Sequence, residues 1–209
     1  MLHCFSTHQP SVIAKRFNLL LMACALIILN ISAMKAAIAQ PPLAREVPIF
    51  GPQRQQPVRQ IVIHTTGGPD CQAARSFRSG TLDGIVEYFR RNQKRISIHY
   101  IIGRTGEMVR MVPESRVAFH VRGHNADSIG IELINHGDGR DPFSEPQISA
   151  LITLLRDLLA RYHLQPTALK AHSELDRSEM TCGARRLKRK VDPGAAFPWA
   201  RIRAALLIK

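Results

Sequence analysis

Along this chain, apolar positions recur with two periods, and the changes of period mark out the elements. "QIVIH" (60–64) is a β-branched run ending at His64, and Thr65 to Gly68 signal the loop after it. Leu82, Ile85, Val86 and Phe89 fall on one face of a helix. "ISIHYIIGRTGEMVRMV" (96–112) reads as two strands around Thr105–Gly106, a hairpin. "SIGIELIN" (128–135) predicts a strand with Ile129, Ile131 and Leu133 on one face and Gly130 and Glu132 on the other. Ser144 is placed to cap a long helix, with Pro146 in its first turn and Gln147 three residues on. Its stripe of Ile148, Leu151, Ile152, Leu155, Leu158, Leu159 and Tyr162 is core-facing. "TALKAHS" predicts a strand ending at His172, and 199–207 a last short helix. Strands and helices alternate loosely, so the expected fold class is α/β: a single domain with a central mixed β-sheet flanked by helices.

The ends change the picture. Lys15 and Arg16 precede the apolar run 17–31, and small residues follow up to "AIA" at 37–39. That order reads as a secretory signal peptide over 1–39; an uncleaved N-terminal anchor and a lipoprotein signal at Cys24 are the alternatives. Residues 40–58, rich in Pro, Gln and Arg, read as a linker, which leaves 59–209 as the domain. Removing 1–39 leaves 26 basic and 16 acidic residues, a net charge of +10. A basic exported protein is expected to meet an anionic partner such as cell-wall polymer, nucleic acid or a membrane surface. Of four cysteines, Cys71 and Cys182 remain outside the leader, and a single disulfide or two free thiols are both open.

Chemistry concentrates at strand ends. His64 and His172 each close an apolar strand, and catalytic groups gather where strands deliver side chains to one sheet edge. Asp192 supplies what a third ligand of a catalytic zinc requires, with a fourth position left for water. In an extended segment Lys190 shares a side with Asp192, while Val191 points the other way, into the core. Glu132 lies inside an apolar strand, where a carboxylate is costly unless paired or used; beside such a site it is a general base. The bland alternatives are strand-capping histidines, an edge-strand Glu132 in water and an Asp that merely begins a Pro-Gly turn.

In the order "IVIHTT", "SIHYIIGRTGEMVRMVPESRVAFH", "SIGIELIN", "KAHSELDR" and "KVDPGAAFPW", the chain resembles the type 2 N-acetylmuramoyl-L-alanine amidases over about residues 59–204. The resemblance implies an amidase fold like that of peptidoglycan recognition proteins. It also implies zinc-dependent cleavage between N-acetylmuramic acid and L-alanine in peptidoglycan or muropeptides. It places zinc ligands at His64, His172 and Asp192, the catalytic carboxylate at Glu132 and a catalytic lysine at Lys190. Phe119, His120 and Thr65 are implied beside the substrate, with His120 a candidate to stabilise the oxyanion. Phe119 stands where the family more usually has Trp, and Ile98 precedes His99 where catalytic recognition proteins carry Tyr. His99 is left to packing or support. "ELDRSEMTCGARRLKRK" (174–190) reads as a basic loop beside the site, and a Cys71–Cys182 disulfide would tie it to the loop after His64. The expected partners are zinc and a muropeptide, with no nucleic acid, and a membrane only through an uncleaved N-terminus. The protein is expected to be a monomer, exported across the inner membrane to the periplasm or wall. A wall-binding module without turnover, or a secreted zinc peptidase acting on stem peptides, are the alternative functions.

Overall fold

The computed structural model describes residues 44–207; the expected leader lies outside the described residues. Six strands form one mixed sheet. In chain order they are β1 (Arg45–Glu46), β2 (Gln60–Thr65), β3 (Tyr100–Ile102), β4 (Met108–Arg110), β5 (Ser128–Leu133) and β6 (Leu169–Ala171). Their spatial order is β1-β4-β3-β5-β2-β6. Only β3 and β4 pair antiparallel, as the hairpin around Thr105–Gly106 requires; the other four pairings are parallel. Gly106 turns the chain at φ 87°, and a Cβ there would stand 2.8 Å from the Pro146 carbonyl. The parallel strands β2 and β5 are central and buried along their length, apart from Gln60 at the start of β2, as strands covered on both faces must be.

Helices cover both faces. Helix α1 (Leu82–Asn92) starts at Thr81, whose side chain accepts from the Gly84 N–H, and packs Val86 and Phe89 against Ile98, Ile101 and Val109. On the other face α2 (Glu145–Arg161) and α4 (Trp199–Leu207) cover Ile61, Ile63, Ile129, Ile131 and Leu133. Ser144 caps α2 by accepting from the Gln147 N–H. Gln147 itself does not close a reciprocal cap. Its side chain is fully buried and donates to the Ile102 and Ile134 carbonyls, pinning the helix to the sheet. Leu154, missing from the expected stripe, is buried, whereas Ile152 is only partly so.

The segment expected to be a linker is part of the fold from Ala44 onward. β1 adds to the sheet beside β4, and Ile49 and Val58 are buried. Arg54 explains why. Its guanidinium donates to the carbonyls of Glu114, Ala126, Arg116 and Ser128 at 2.7–3.0 Å. Pro, Gln and Arg composition signals a linker only when nothing beneath it needs donors, and here three loop carbonyls and that of Ser128, at the start of β5, do.

Two further readings are corrected. The strand before His172 stops at Ala171, and His172 opens a single helical turn, α3 (His172–Leu175). The basic stretch is not a loose loop. It folds as a separate antiparallel hairpin, β7 (Glu179–Cys182) and β8 (Arg185–Lys188).

Candidate metal centre

Register builds the site. β2 and β5 run parallel with His64 paired to Glu132, so both side chains leave the same face near the ends of their strands. Beyond them the two loops stay sewn together: the N–H groups of Thr66 and Gly67 donate to the Leu133 and Asn135 carbonyls. β6 lies on the other side of β2 and delivers His172 directly after its last residue. Asp192 arrives from the segment after the hairpin, held by the Ser173 N–H bonding its carbonyl. The Asp192–Pro193 peptide is cis, and Gly194 follows at φ 83°.

Three ligand atoms converge. His64 Nδ1 lies 2.8 Å from His172 Nδ1 and 3.4 Å from Asp192 Oδ2, and His172 Nδ1 lies 2.9 Å from that same oxygen. All three residues are buried, and among the described residues they are the group of His, Cys, Asp and Glu able to hold a metal ion. Nitrogen and oxygen ligands about 2.1 Å from a tetrahedral zinc stand roughly 3.4 Å apart; the His64–Asp192 separation of 3.4 Å matches this, the other two at 2.8 and 2.9 Å are closer, and the donor set of two imidazoles and one carboxylate suits such an ion. Burial, helped by the neighbouring His172 and Lys190, pulls the His64 imidazolium down to about 4, so the ring is neutral and able to ligate. Burial alone would raise Asp192, but the hydrogen bond from His172, at 2.9 Å, and the closeness of the His64 ring outweigh it and hold the carboxylate ionised.

Beside this group lies a cavity of about 400 Å³, lined by His64, Glu132, His172, Lys190 and Asp192 and walled by Tyr88 and Phe89 of α1. Glu132 is buried there and its pKa rises to about 8. Desolvation is the largest cause, Asp192 adds to it, and the Lys190 ammonium opposes it. Lys190 is partly exposed at the rim and shares the cavity with Asp192, as the i, i+2 spacing implies. Val191 does not point into the core; it lines outer clefts on the hairpin side. One of these, about 460 Å³, is bounded by Arg177, Lys188 and Lys190, so Lys190 is a wall common to it and the main cavity.

Of the residues expected beside the substrate, Thr65 lines the cavity, its hydroxyl donating to the Gly67 carbonyl at 3.3 Å. Phe119 does not line it; its backbone is tied on both sides to Ser97. His120 touches the cavity but has both ring nitrogens engaged, by His64 Nε2 at 2.9 Å and Ser128 Oγ at 3.0 Å. It therefore has no free donor for an oxyanion. His99 accepts from the Gly130 N–H, a supporting contact beneath the site. Cys71 and Cys182 are disulfide-bonded, which closes the choice left by the sequence and ties the hairpin to the loop after β2.

The Amidase_2 family, N-acetylmuramoyl-L-alanine amidase, matches residues 54–195. The chain belongs to this family. The match contains His64, Glu132, His172, Lys190 and Asp192, and it begins at the half-buried Arg54. The chain is 34% identical over 131 residues to N-acetylmuramoyl-L-alanine amidase AmiD of Escherichia coli K12, an alignment covering 52% of this chain and 44% of AmiD. It is 32% identical over 119 residues to the 1,6-anhydro-N-acetylmuramyl-L-alanine amidase AmpD of Enterobacter cloacae, covering 53% and 57%. The chain thus spans about half the length of these relatives. The structure of E. coli AmiD with its substrate anhydro-N-acetylmuramic acid-L-Ala-D-gamma-Glu-L-Lys superposes with a TM-score of 0.56 at 28% identity, over 71% of this chain and 57% of that one. Human PGRP-IBETAC, 18% identical with a TM-score of 0.50 over 72% of this chain and 90% of that one, shares the fold. The amidase fold and the family are those the sequence motifs imply.

Proposed function

We propose that this protein is a zinc-dependent N-acetylmuramoyl-L-alanine amidase that hydrolyses the lactyl–L-alanine amide of peptidoglycan or muropeptides. The observation that carries this is the placement of a buried carboxylate, Glu132, at the register partner of His64, beside three converged ligand atoms. His64, His172 and Asp192 would hold the ion, which when bound supplies Lewis acidity toward an amide carbonyl and toward water. Glu132, its rise opposed by a cation held at His64, His172 and Asp192, favours its ionised form, and the carboxylate takes the proton of the attacking water. The carbonyl carbon gains the oxygen, its bond to nitrogen breaks, and Glu132 returns the proton to the leaving amine of L-alanine. Lys190, close enough to act on both Glu132 and His64, faces the negative charge that develops on the carbonyl oxygen. Thr65 borders the cavity where the substrate would pass. The cleft shared through Lys190 presents Arg177 and Lys188, an arrangement suited to the carboxylates of a stem peptide.

Export to the periplasm or wall belongs to the same proposal. The leader-like sequence over 1–39 supports it, as does a disulfide, which persists in oxidising compartments. The protein is proposed to act as a monomer, with no nucleic-acid partner and a membrane only through its N-terminus. Among the described residues no helix is long and apolar enough to cross a membrane.

Digestion of muropeptides with the zinc-loaded protein tests the activity. The expected products are a free L-alanine amine and an intact peptide, seen by mass spectrometry. Glu132→Ala should lower the rate by roughly 10²–10⁴, and a chelator should abolish it. Cleavage inside the peptide would make the protein a peptidase; unchanged muropeptides would make it a binder.

A further inference from the structure

From the metal centre, a line of hydrogen bonds runs from His64 through His120, at the cavity wall, and Ser128 to the carbonyl of His124. Its far end decides its direction. Ser128 Oγ is 2.6 Å from the His124 carbonyl oxygen, and a carbonyl only accepts. The one hydroxyl proton of Ser128 is therefore spent there. Ser128 Oγ must accept from its other neighbour, His120 Nε2, at 3.0 Å. His120 is buried, and its two ring nitrogens face an imidazole and a hydroxyl, neither of them an anion that would hold a second proton on the ring. A neutral imidazole carries one proton, so a proton on Nε2 leaves Nδ1 as an acceptor. The group facing that Nδ1, at 2.9 Å, is His64 Nε2, which must then be the N–H donor. With its proton there, His64 presents a bare lone pair at Nδ1, the atom aimed at His172 and Asp192.

We infer that His120 and Ser128 are positioning residues that fix His64 as its Nε2–H tautomer and so aim its Nδ1 lone pair at the metal position. The surroundings hold this line in place. Asn125 Oδ1 accepts from the backbone N–H groups of both His120 and Val121, at 2.9 and 2.7 Å, which fixes the turn carrying the ring. The ring sits over Gly130, where a Cβ would stand 2.6 Å from His120 Nδ1 and 2.7 Å from its Cγ. The glycine in "SIGIEL" thus leaves room for His120, while its own N–H donates to His99 Nδ1 at 3.0 Å. A ring locked at its second nitrogen loses less freedom on ligating, and partners of this kind contribute about 10–100-fold to metal affinity.

The inference rests on the metal-hydrolase reading for what His64 ligates, but the tautomer stands without it. Long-range ¹H–¹⁵N spectra of the chelator-treated protein, labelled at histidine, should show His64 and His120 each protonated at Nε2. Competition against a chromophoric zinc chelator should show zinc bound about 10–100-fold more weakly by His120→Ala and more weakly by Ser128→Ala. Ser128→Ala should also give His64 a mixture of tautomers. Circular dichroism and thermal melts identify a variant that has merely unfolded, and the parent spectrum tests the tautomer without any variant. A His64 protonated at Nδ1 in the parent, or zinc affinity of folded variants within about twofold of the parent, would overturn the inference. A parent that binds no zinc would instead overturn the metal-hydrolase reading, and the spectra would still decide the tautomer.

Discussion

Glu132 carries a free-energy cost that can be read from pH. In the unfolded chain its carboxyl titrates near 4.5; in the fold burial and Asp192 raise it to about 8. The folded protein thus holds this proton more tightly than the unfolded one. The associated stability is complete below about pH 4.5 and is lost progressively as pH rises to about 8. A glutamine does not titrate. In chelator-treated protein, Glu132→Gln should therefore match the parent near pH 4 and gain on it steadily, by on the order of 4–5 kcal/mol at pH 8. Thermal melts across that range check this; a gap that stays flat with pH would place Glu132 in contact with water. Local pattern singles out His64, Glu132, His172 and Asp192, as polar residues closing or interrupting an apolar run or a lone acid among bases, but it was the family resemblance that gathered them into one site. His120 was legible only as a neighbour of the substrate, and Ser128 and Arg54 not at all. Their roles depend on partners far along the chain, 56 residues away for His120 and His64, and on which atom donates. No spacing encodes that.

Among the elements, β2, β5, α1 and α2 follow from periodicity because each buries one face or both. The hairpin β7–β8 does not, because its residues are exposed or only partly buried and its strands lack a buried face. Two strands of that kind are marginal by themselves. The Cys71–Cys182 bond, closing a separation of 111 residues, supplies what packing does not. Chain-entropy reasoning puts its contribution at no more than about 4–5 kcal/mol. The double variant Cys71→Ser, Cys182→Ser should melt at least roughly 5 °C lower than the parent, and the substrate KM should rise because the hairpin carries Lys188 and leads into Lys190. An unchanged melting temperature and KM would show that the hairpin stands without its covalent tie.

For the molecule as a whole, the domain begins earlier than composition indicates. Arg54 satisfies carbonyls from the 114–116 loop and from the turn before β5, so it braces the strand that carries Glu132. Arg54→Ala should cost about 2–4 kcal/mol in denaturant unfolding, since the carbonyls of the buried Glu114 and Ser128 and two less buried ones lose their donor. Arg54→Lys should recover only part of this, because one ammonium cannot span the same fork of acceptors. A full recovery by lysine would mean that charge alone matters there. The register of β2 against β5 has a different kind of consequence. His64 and Glu132 leave one face of the sheet, while Ile61, Ile63, Ile129, Ile131 and Leu133 pack on the other. A slip of one residue by either strand would drive an ionisable group into the apolar layer under α2 and lift isoleucines into the cavity. Misalignment is thus penalised by the oily layer before anything binds, and a chain that folds at all folds with Glu132 and His64 already side by side.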